Sequence, residues 1–343
     1  MIFRWLTGAA NLLARVAASP RARAVLGCAV VIAVLWIAFG ALHEILAELS
    51  WSDVRADLAR ISTMRILSSV ALTIISYIVL TGYDVVSLRI IGRSIGYGTA
   101  ALASFTSYIF SHNFGFAALT GGAARLRIYG RRGLSFGEVA QIMTMTGVTF
   151  WMGVLLLIGI GLVALPGTLA IGSWHASFCQ QAAVGVLILA VLTGYLVLLH
   201  RRAGCAVRVF GWTLILPSLS TAGVQFLLAA VDLIVVTAAL FVLVPGLQMS
   251  AFPLMVIAYL IAFLSGLLAH APGGVGVFEA VMLLTLPQVD RATLLAALLL
   301  FRFIYYLVPL TIGIFMFASH EVHVRTAIPK PSGASAITDA QDS

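Results

Sequence analysis

Two glycine-broken segments carry the charges best placed to act on a polar cargo. HAPGGVGVFEA (270–280) joins a break at Pro272, Gly273, Gly274 and Gly276 to Glu279. LTGGAARLRIYG (119–130) sets Gly121 and Gly122 ahead of Arg125, Arg127 and Tyr129. Both follow long apolar runs. A helix break inside a membrane frees backbone polar groups that protein or water must satisfy. A short helix restarting there points free N–H groups and a positive dipole end ahead of it, which favours anions. Arginine adds bidentate recognition of phosphate. Helical spacing places Arg125, Tyr129 and Arg132 on one face and Arg127 and Arg131 on another. Three further charges, Asp84, Asp232 and Arg302, lie within apolar runs. A lone charge at the bilayer centre costs about 2.5–3.5 kcal/mol on insertion scales, so such residues are paired or functional. Arg302 has two candidate partners, Glu279 and Asp232. Asp84 could meet a cationic headgroup or pair with Arg89 or Arg125.

The elements that hold these residues are membrane helices. The chain has 343 residues, of which 62% are hydrophobic and 9% charged, a polytopic membrane composition and not that of a soluble domain. Eight apolar runs reach about the 20 residues needed to cross hydrocarbon: 25–42, 66–91, 99–120, 138–165, 182–200, 217–244, 252–271 and 292–318. If all eight cross, the positive-inside rule is inverted. If runs 99–120 and 252–271 instead dip in and return at their Gly-Gly breaks, fifteen basic residues lie inside and four (Arg55, Arg60, Arg65 and Arg291) outside. At about 1 kcal/mol per basic residue near an anionic leaflet, the second arrangement is preferred. The expected fold is therefore all-α: six full spans and two re-entrant hairpins, both termini cytosolic, in the bacterial cytoplasmic membrane. Each half repeats the order span, span, apolar run, Gly-Gly, short helix, span. Three crossings per half make the repeats inverted, a recurrent transporter plan. The expected segments are a basic amphipathic stretch (1–24), a first repeat (25–165), a second repeat (182–318) and a disordered tail (320–343). SWSDVRADLARIS (50–62) reads as an interfacial helix.

Several chemistries find no support. Cys28, Cys179 and Cys205 have neither metal nor redox spacing. No HExxH, GxSxG or Walker sequence is present, so neither a catalytic site, a metal nor a cofactor is expected. The net charge of +8, from nineteen arginines and Lys330, reads as inner-leaflet anchoring and not as nucleic-acid binding.

The segment NFGFAALTGGAARLRIYGRRGLS (113–135) closely resembles the membrane portion of the lysylphosphatidylglycerol synthase/flippase family. PGGVGVFEA, followed by ALLLFRFIYYLVPLTIG (297–313), is similar to that family's closing signature. Family-typical positions fall on Gly121, Gly122, Arg125, Arg127, Tyr129, Pro272, Gly273, Gly274, Gly276, Glu279, Arg302 and Pro309. In two-part members a membrane unit is implicated in moving aminoacylated phosphatidylglycerol between leaflets, and a cytosolic domain makes it. The resemblance covers only the membrane unit. It implies a flippase- or scramblase-like carrier of a phospholipid, with aminoacylated phosphatidylglycerol one candidate cargo. Asp84, Arg125, Arg127, Tyr129, Asp232, Glu279 and Arg302 are the expected substrate contacts. Two other classes are open: a lipid-modifying enzyme using Glu279 and Asp232 as acid and base, and a scaffold for a separately encoded lipid synthase.

Overall fold

Runs of Leu, Val, Ile and Ala close into helices because a span must satisfy its backbone within itself. The computed structural model describes residues 51–115, 118–165, 169–171, 174–202, 206–209, 212–215, 217–269 and 272–327. The basic stretch 1–24 and the first apolar run, 25–42, lie outside the described residues.

The chain opens with α1 (Trp51–Arg60), the helix expected at the interface, and α2 (Thr63–Ile90). A hairpin follows, α3 (Tyr97–Phe114) and α4 (Thr120–Gly130), then α5 (Phe136–Ala164). The second half runs α6 (Phe178–Arg202), α7 (Leu219–Phe241), α8 (Phe252–Leu268), α9 (Val277–Thr285), α10 (Arg291–Arg302), a π-helical turn (Phe303–Leu307) and α11 (Val308–Ala327). Among the described residues, α2–α5 and α7–α11 each run long helix, second helix, break, short helix, long helix. The connections flanking α6 add two small antiparallel hairpins, β1 (Leu169–Ile171) with β2 (Trp174–Ala176) and β3 (Ala206–Val209) with β4 (Trp212–Ile215). The last helix continues to Ala327, past the end of the apolar run, so Glu321 lies on a helix and not in the tail.

Six described segments are long and apolar enough to cross a membrane: α2, α5, α6, α7, α8 with the turn before it (Met249–Leu268), and the continuous α10–α11 segment (Arg291–Val322). This is a multi-pass membrane protein. The composition of the six differs from the expected set. Run 252–271 qualifies by length and apolarity, whereas α3, interrupted by Ser104, Thr106, Ser107, His112 and Asn113, does not.

The polar contacts sort into two ends of the bundle. At one end Arg65 Nη1 donates to the carbonyls of Val242 and Val244 (2.9 and 3.1 Å), just beyond α7. Thr293 Oγ1, at the start of α10, donates to Asp57 of α1 (2.8 Å). At the other end Arg93, before α3, pairs with Glu138 of α5 (2.5 Å). Glu321 of α11 there pairs with both Arg127 and Arg131. The α3–α4 hairpin therefore starts and finishes at the Arg93 end. The α8–α9 hairpin starts and finishes at the Arg65 end. Ser135 and Glu138 form a capping box on α5, which fixes where that helix begins.

Candidate functional site

Gly121 lets α4 lie directly on α3. A Cβ there would stand 2.7 Å from the Ser107 carbonyl oxygen, and the Gly121 carbonyl accepts from Ser107 Oγ (2.8 Å). This close approach sets the height and rotation of α4. Arg125 and Tyr129 turn to one side of α4 and Arg127 to another, but α4 ends at Gly130, so Arg132 does not join the Arg125 face as expected. Arg125 points inward and is 4% exposed. Its Nε and Nη2 donate to the two oxygens of Asp84 on α2 (3.1 and 2.8 Å), and Tyr129 donates to the same carboxylate (2.7 Å). The Arg125 guanidinium also lies 4.8 Å from the centre of the Tyr108 ring. Asp84 thus meets Arg125, not Arg89, and its acceptor positions are met by protein. Arg127 and Arg131 instead hold Glu321 at the surface, and Arg132 is exposed.

The second break builds a different nest. Gly273, Gly274 and Gly276 all have positive φ (62°, 64° and 82°), which a residue with a Cβ adopts only with strain. Glu279 reaches back to the Gly276 N–H (2.8 Å) and pairs with Arg302 Nε. Arg302 Nη1 donates to the Gly273 carbonyl (2.8 Å), and its guanidinium lies over the rings of Phe278 and Tyr306. Of the two acids open to Arg302, Glu279 takes it. One arginine thereby ties the tip's free carbonyl to the capping carboxylate.

Arg302 sits immediately before the π turn, and Pro309 accounts for part of that irregularity. A proline has no N–H to give the carbonyl four residues back, here Tyr305. The Tyr77 hydroxyl satisfies that carbonyl instead (3.0 Å). Asn113 Nδ2 contacts the next one, Tyr306, at 3.4 Å. The turn thus faces α2 and α3.

The two breaks converge. A Cβ on Gly273 would lie 3.6 Å from the carbonyl oxygens of both His112 and Asn113, and 3.7 Å from Arg302 Nη1. The second tip therefore abuts the C-terminal end of α3, where the first hairpin turns. His112 packs among Tyr108, Phe263, Tyr305 and Tyr306. Its Nδ1 and Arg302 Nη2 are buried atoms without a hydrogen-bond partner.

Among the described residues Asp232 pairs with no arginine. It is 5% exposed and accepts from Ser76 Oγ (2.7 Å) and from the Tyr83 hydroxyl at a long 3.4 Å. Ser76 Oγ also shares a hydrogen bond with the Tyr305 hydroxyl (2.9 Å). Sequence reasoning singled out Asp232 but missed Ser76, Tyr83 and Tyr305, which surround it. Hydroxyl and aromatic residues interrupting aliphatic runs, as in FRFIYYLVP, were the available signal. Among the described residues no group of His, Cys, Asp and Glu is arranged to hold a metal ion.

The chain has relatives over most of its length. The chain is 32% identical over 294 residues to the protein slr0712 of Synechocystis sp., covering 83% of this chain and 90% of that one. It is 28% identical over 310 residues to the inner membrane protein YbhN of Escherichia coli, covering 87% and 95%. A phosphatidylglycerol lysyltransferase of Staphylococcus haemolyticus matches only 68 residues at 44% identity, 8% of its length. The whole-length likeness is thus to proteins of similar size, and the likeness to the lysyltransferase is to a short part of it. Residues 24–313 match the lysylphosphatidylglycerol synthase TM region, and the chain belongs to that family.

Proposed function

We propose that this protein carries a phospholipid between leaflets of the bacterial cytoplasmic membrane, as a flippase or scramblase and not as an enzyme. The observation that carries this reading is the convergence of two glycine-broken hairpins around buried polar atoms, His112 Nδ1 and Arg302 Nη2, that lack a hydrogen-bond partner. Buried polar groups are ordinarily satisfied, and intramembrane charge marks a substrate path more often than packing. A lipid suits such a site because its headgroup needs the polar path while its acyl chains stay in hydrocarbon. Aminoacylated phosphatidylglycerol is a candidate cargo, and a separately encoded lipid synthase a candidate partner.

The test is exchange of labelled phospholipid in proteoliposomes, run headgroup by headgroup. The protein is expected to exceed the empty-liposome rate for at least one phospholipid. His112→Phe, which keeps the ring and removes the nitrogen, is expected to lower that rate severalfold without changing thermal stability. Exchange at the empty-liposome rate for every headgroup would reject the proposal. Co-purification of a lipid synthase in that case would favour the scaffold reading.

We further propose that both hairpins are re-entrant, from opposite faces, with the arginine-rich end cytosolic. Arg93 pairing with Glu138 across the first hairpin supports this, as do the contacts of Arg65 and Thr293 at the ends flanking the second. Arg132→Cys, at an exposed position beside the first hairpin, is expected to react with an impermeant maleimide only from the cytosolic side. Labelling from the periplasmic side would overturn the topology.

A further inference from the structure

We propose that Asp232 is a proton-binding site, neutral when its surroundings are closed and ionised when water reaches it. The inference rests on the lipid-carrier reading only for what the proton is coupled to. Asp232 lies thirteen residues into α7, and its partner Ser76 thirteen residues into α2, so both sit about 20 Å along their helices, near mid-depth. Its carboxylate is buried and accepts one good hydrogen bond and one long one. No Arg, Lys or His among the described residues lies within ion-pair reach of it. The other two buried acids differ: Asp84 has Arg125 and Glu279 has Arg302. An ionised carboxylate with two hydroxyl contacts and no cation is costly to hold in hydrocarbon, and binding a proton removes that cost.

The groups facing Asp232 are hydroxyls. From α2 come Ser76, Tyr77 and Tyr83, from α3 Tyr108, from α8 Tyr259 and from the π turn Tyr305, all near enough to interact with its charge or hydrogen-bond to it. Of the charged residues on neighbouring elements, Arg125 pairs with Asp84, Arg302 with Glu279 and Glu138 of α5 with Arg93, Arg65 donates to the Val242 and Val244 carbonyls, and Arg89 is exposed near the end of α2; the imidazole of His112 on α3 packs against Tyr108 and Tyr305. The step itself balances simply. A carboxylate and one proton from water give a neutral carboxyl, and the same proton leaves when the site is rehydrated. The Ser76–Tyr305 hydrogen bond can take either direction, so the Ser76 hydroxyl can turn from donor to acceptor as the carboxyl gains an O–H. A hydroxyl ring of this kind accommodates both protonation states without moving a helix.

The reconstituted full chain should show, by infrared difference spectroscopy, a protonated-carboxyl C=O band that titrates with pH. Asp232→Asn should abolish the band, and Tyr83→Phe, which removes one hydrogen bond, should shift its frequency. Exchange of labelled phosphatidylglycerol should vary about tenfold per pH unit on the limb where this proton is limiting, and Asp232→Asn should flatten that limb. A wild-type spectrum with no titrating carboxyl band would overturn the proposal, as would a band that neither variant alters. A dependence on sodium in place of pH would also overturn it. A titrating band that Tyr83→Phe shifts, in a protein that exchanges no lipid, would support the proton site while rejecting the lipid cargo.

Discussion

Arg125→Ala is expected to destabilise the protein by about 3–5 kcal/mol, the effect of stranding one member of a buried ion pair. The residue left behind is Asp84, 0% exposed, whose two oxygens receive Arg125 and whose second oxygen also receives Tyr129. Removing the guanidinium leaves one tyrosine hydroxyl to hold a buried charge. Removing both charges should be milder. Asp84→Asn combined with Arg125→Met is expected to recover most of the loss, because no uncompensated charge remains and the methionine stem still fills space beside Tyr108. The measurement is thermal or denaturant unfolding in detergent across the single and double variants. Strong non-additivity identifies the pair as the clasp between α2 and α4. If Arg125→Ala instead keeps wild-type stability while lipid exchange stops, the guanidinium acts on cargo, and its contact with Asp84 is one state of a cycle.

The tight geometry of this clasp explains how much the sequence could reveal. Apolar runs and the two Gly-Gly breaks located nearly every helix after the first run, since length and hydropathy alone dictate them. The spacing of Arg125 and Tyr129 against Arg127 and Arg131 is enough to place them on separate faces. Partner choice was not legible, because Asp84–Arg125 spans 41 residues and Arg127–Glu321 spans 194, and hydropathy says nothing about which helices touch. By hydropathy Glu321 belongs to the tail, because the apolar run ends before it. The pairing with Arg127 and Arg131 gives that extra turn a reason to stay helical. The π turn was likewise hidden. Pro309 lies inside an apolar run that reads as one span, and only Tyr77, more than two hundred residues away, shows how the freed carbonyl is satisfied. The β-hairpins flanking α6 lie in connections too short and irregular for the period-two pattern to stand out.

A second large effect is expected at Arg302. Arg302→Ala is expected to open the second tip, because three demands fall on that one side chain. It neutralises Glu279, donates to the Gly273 carbonyl and covers the rings of Phe278 and Tyr306. Losing the first strands a buried carboxylate, worth about 3–5 kcal/mol. Losing the second leaves a backbone acceptor unmet, worth about 1–3 kcal/mol more, although sharing one side chain makes the two less than additive. The effect should be local. Hydrogen exchange at residues 272–280 is expected to rise sharply, including at the Gly276 amide that Glu279 holds, while α2 and α7 stay protected. Arg302→Lys should rescue only in part, since an ammonium restores the charge but cannot present the fixed fork that reaches Glu279 and Gly273 together. Glu279→Gln should be intermediate: its amide oxygen can still accept from Gly276, yet Arg302 is left cationic and unpaired. Unchanged exchange across 272–280 in Arg302→Ala would mean that glycine backbone geometry alone holds the tip. Arg302 would then be free to engage a lipid phosphate, and its loss should appear in headgroup selectivity and not in the protection of the tip.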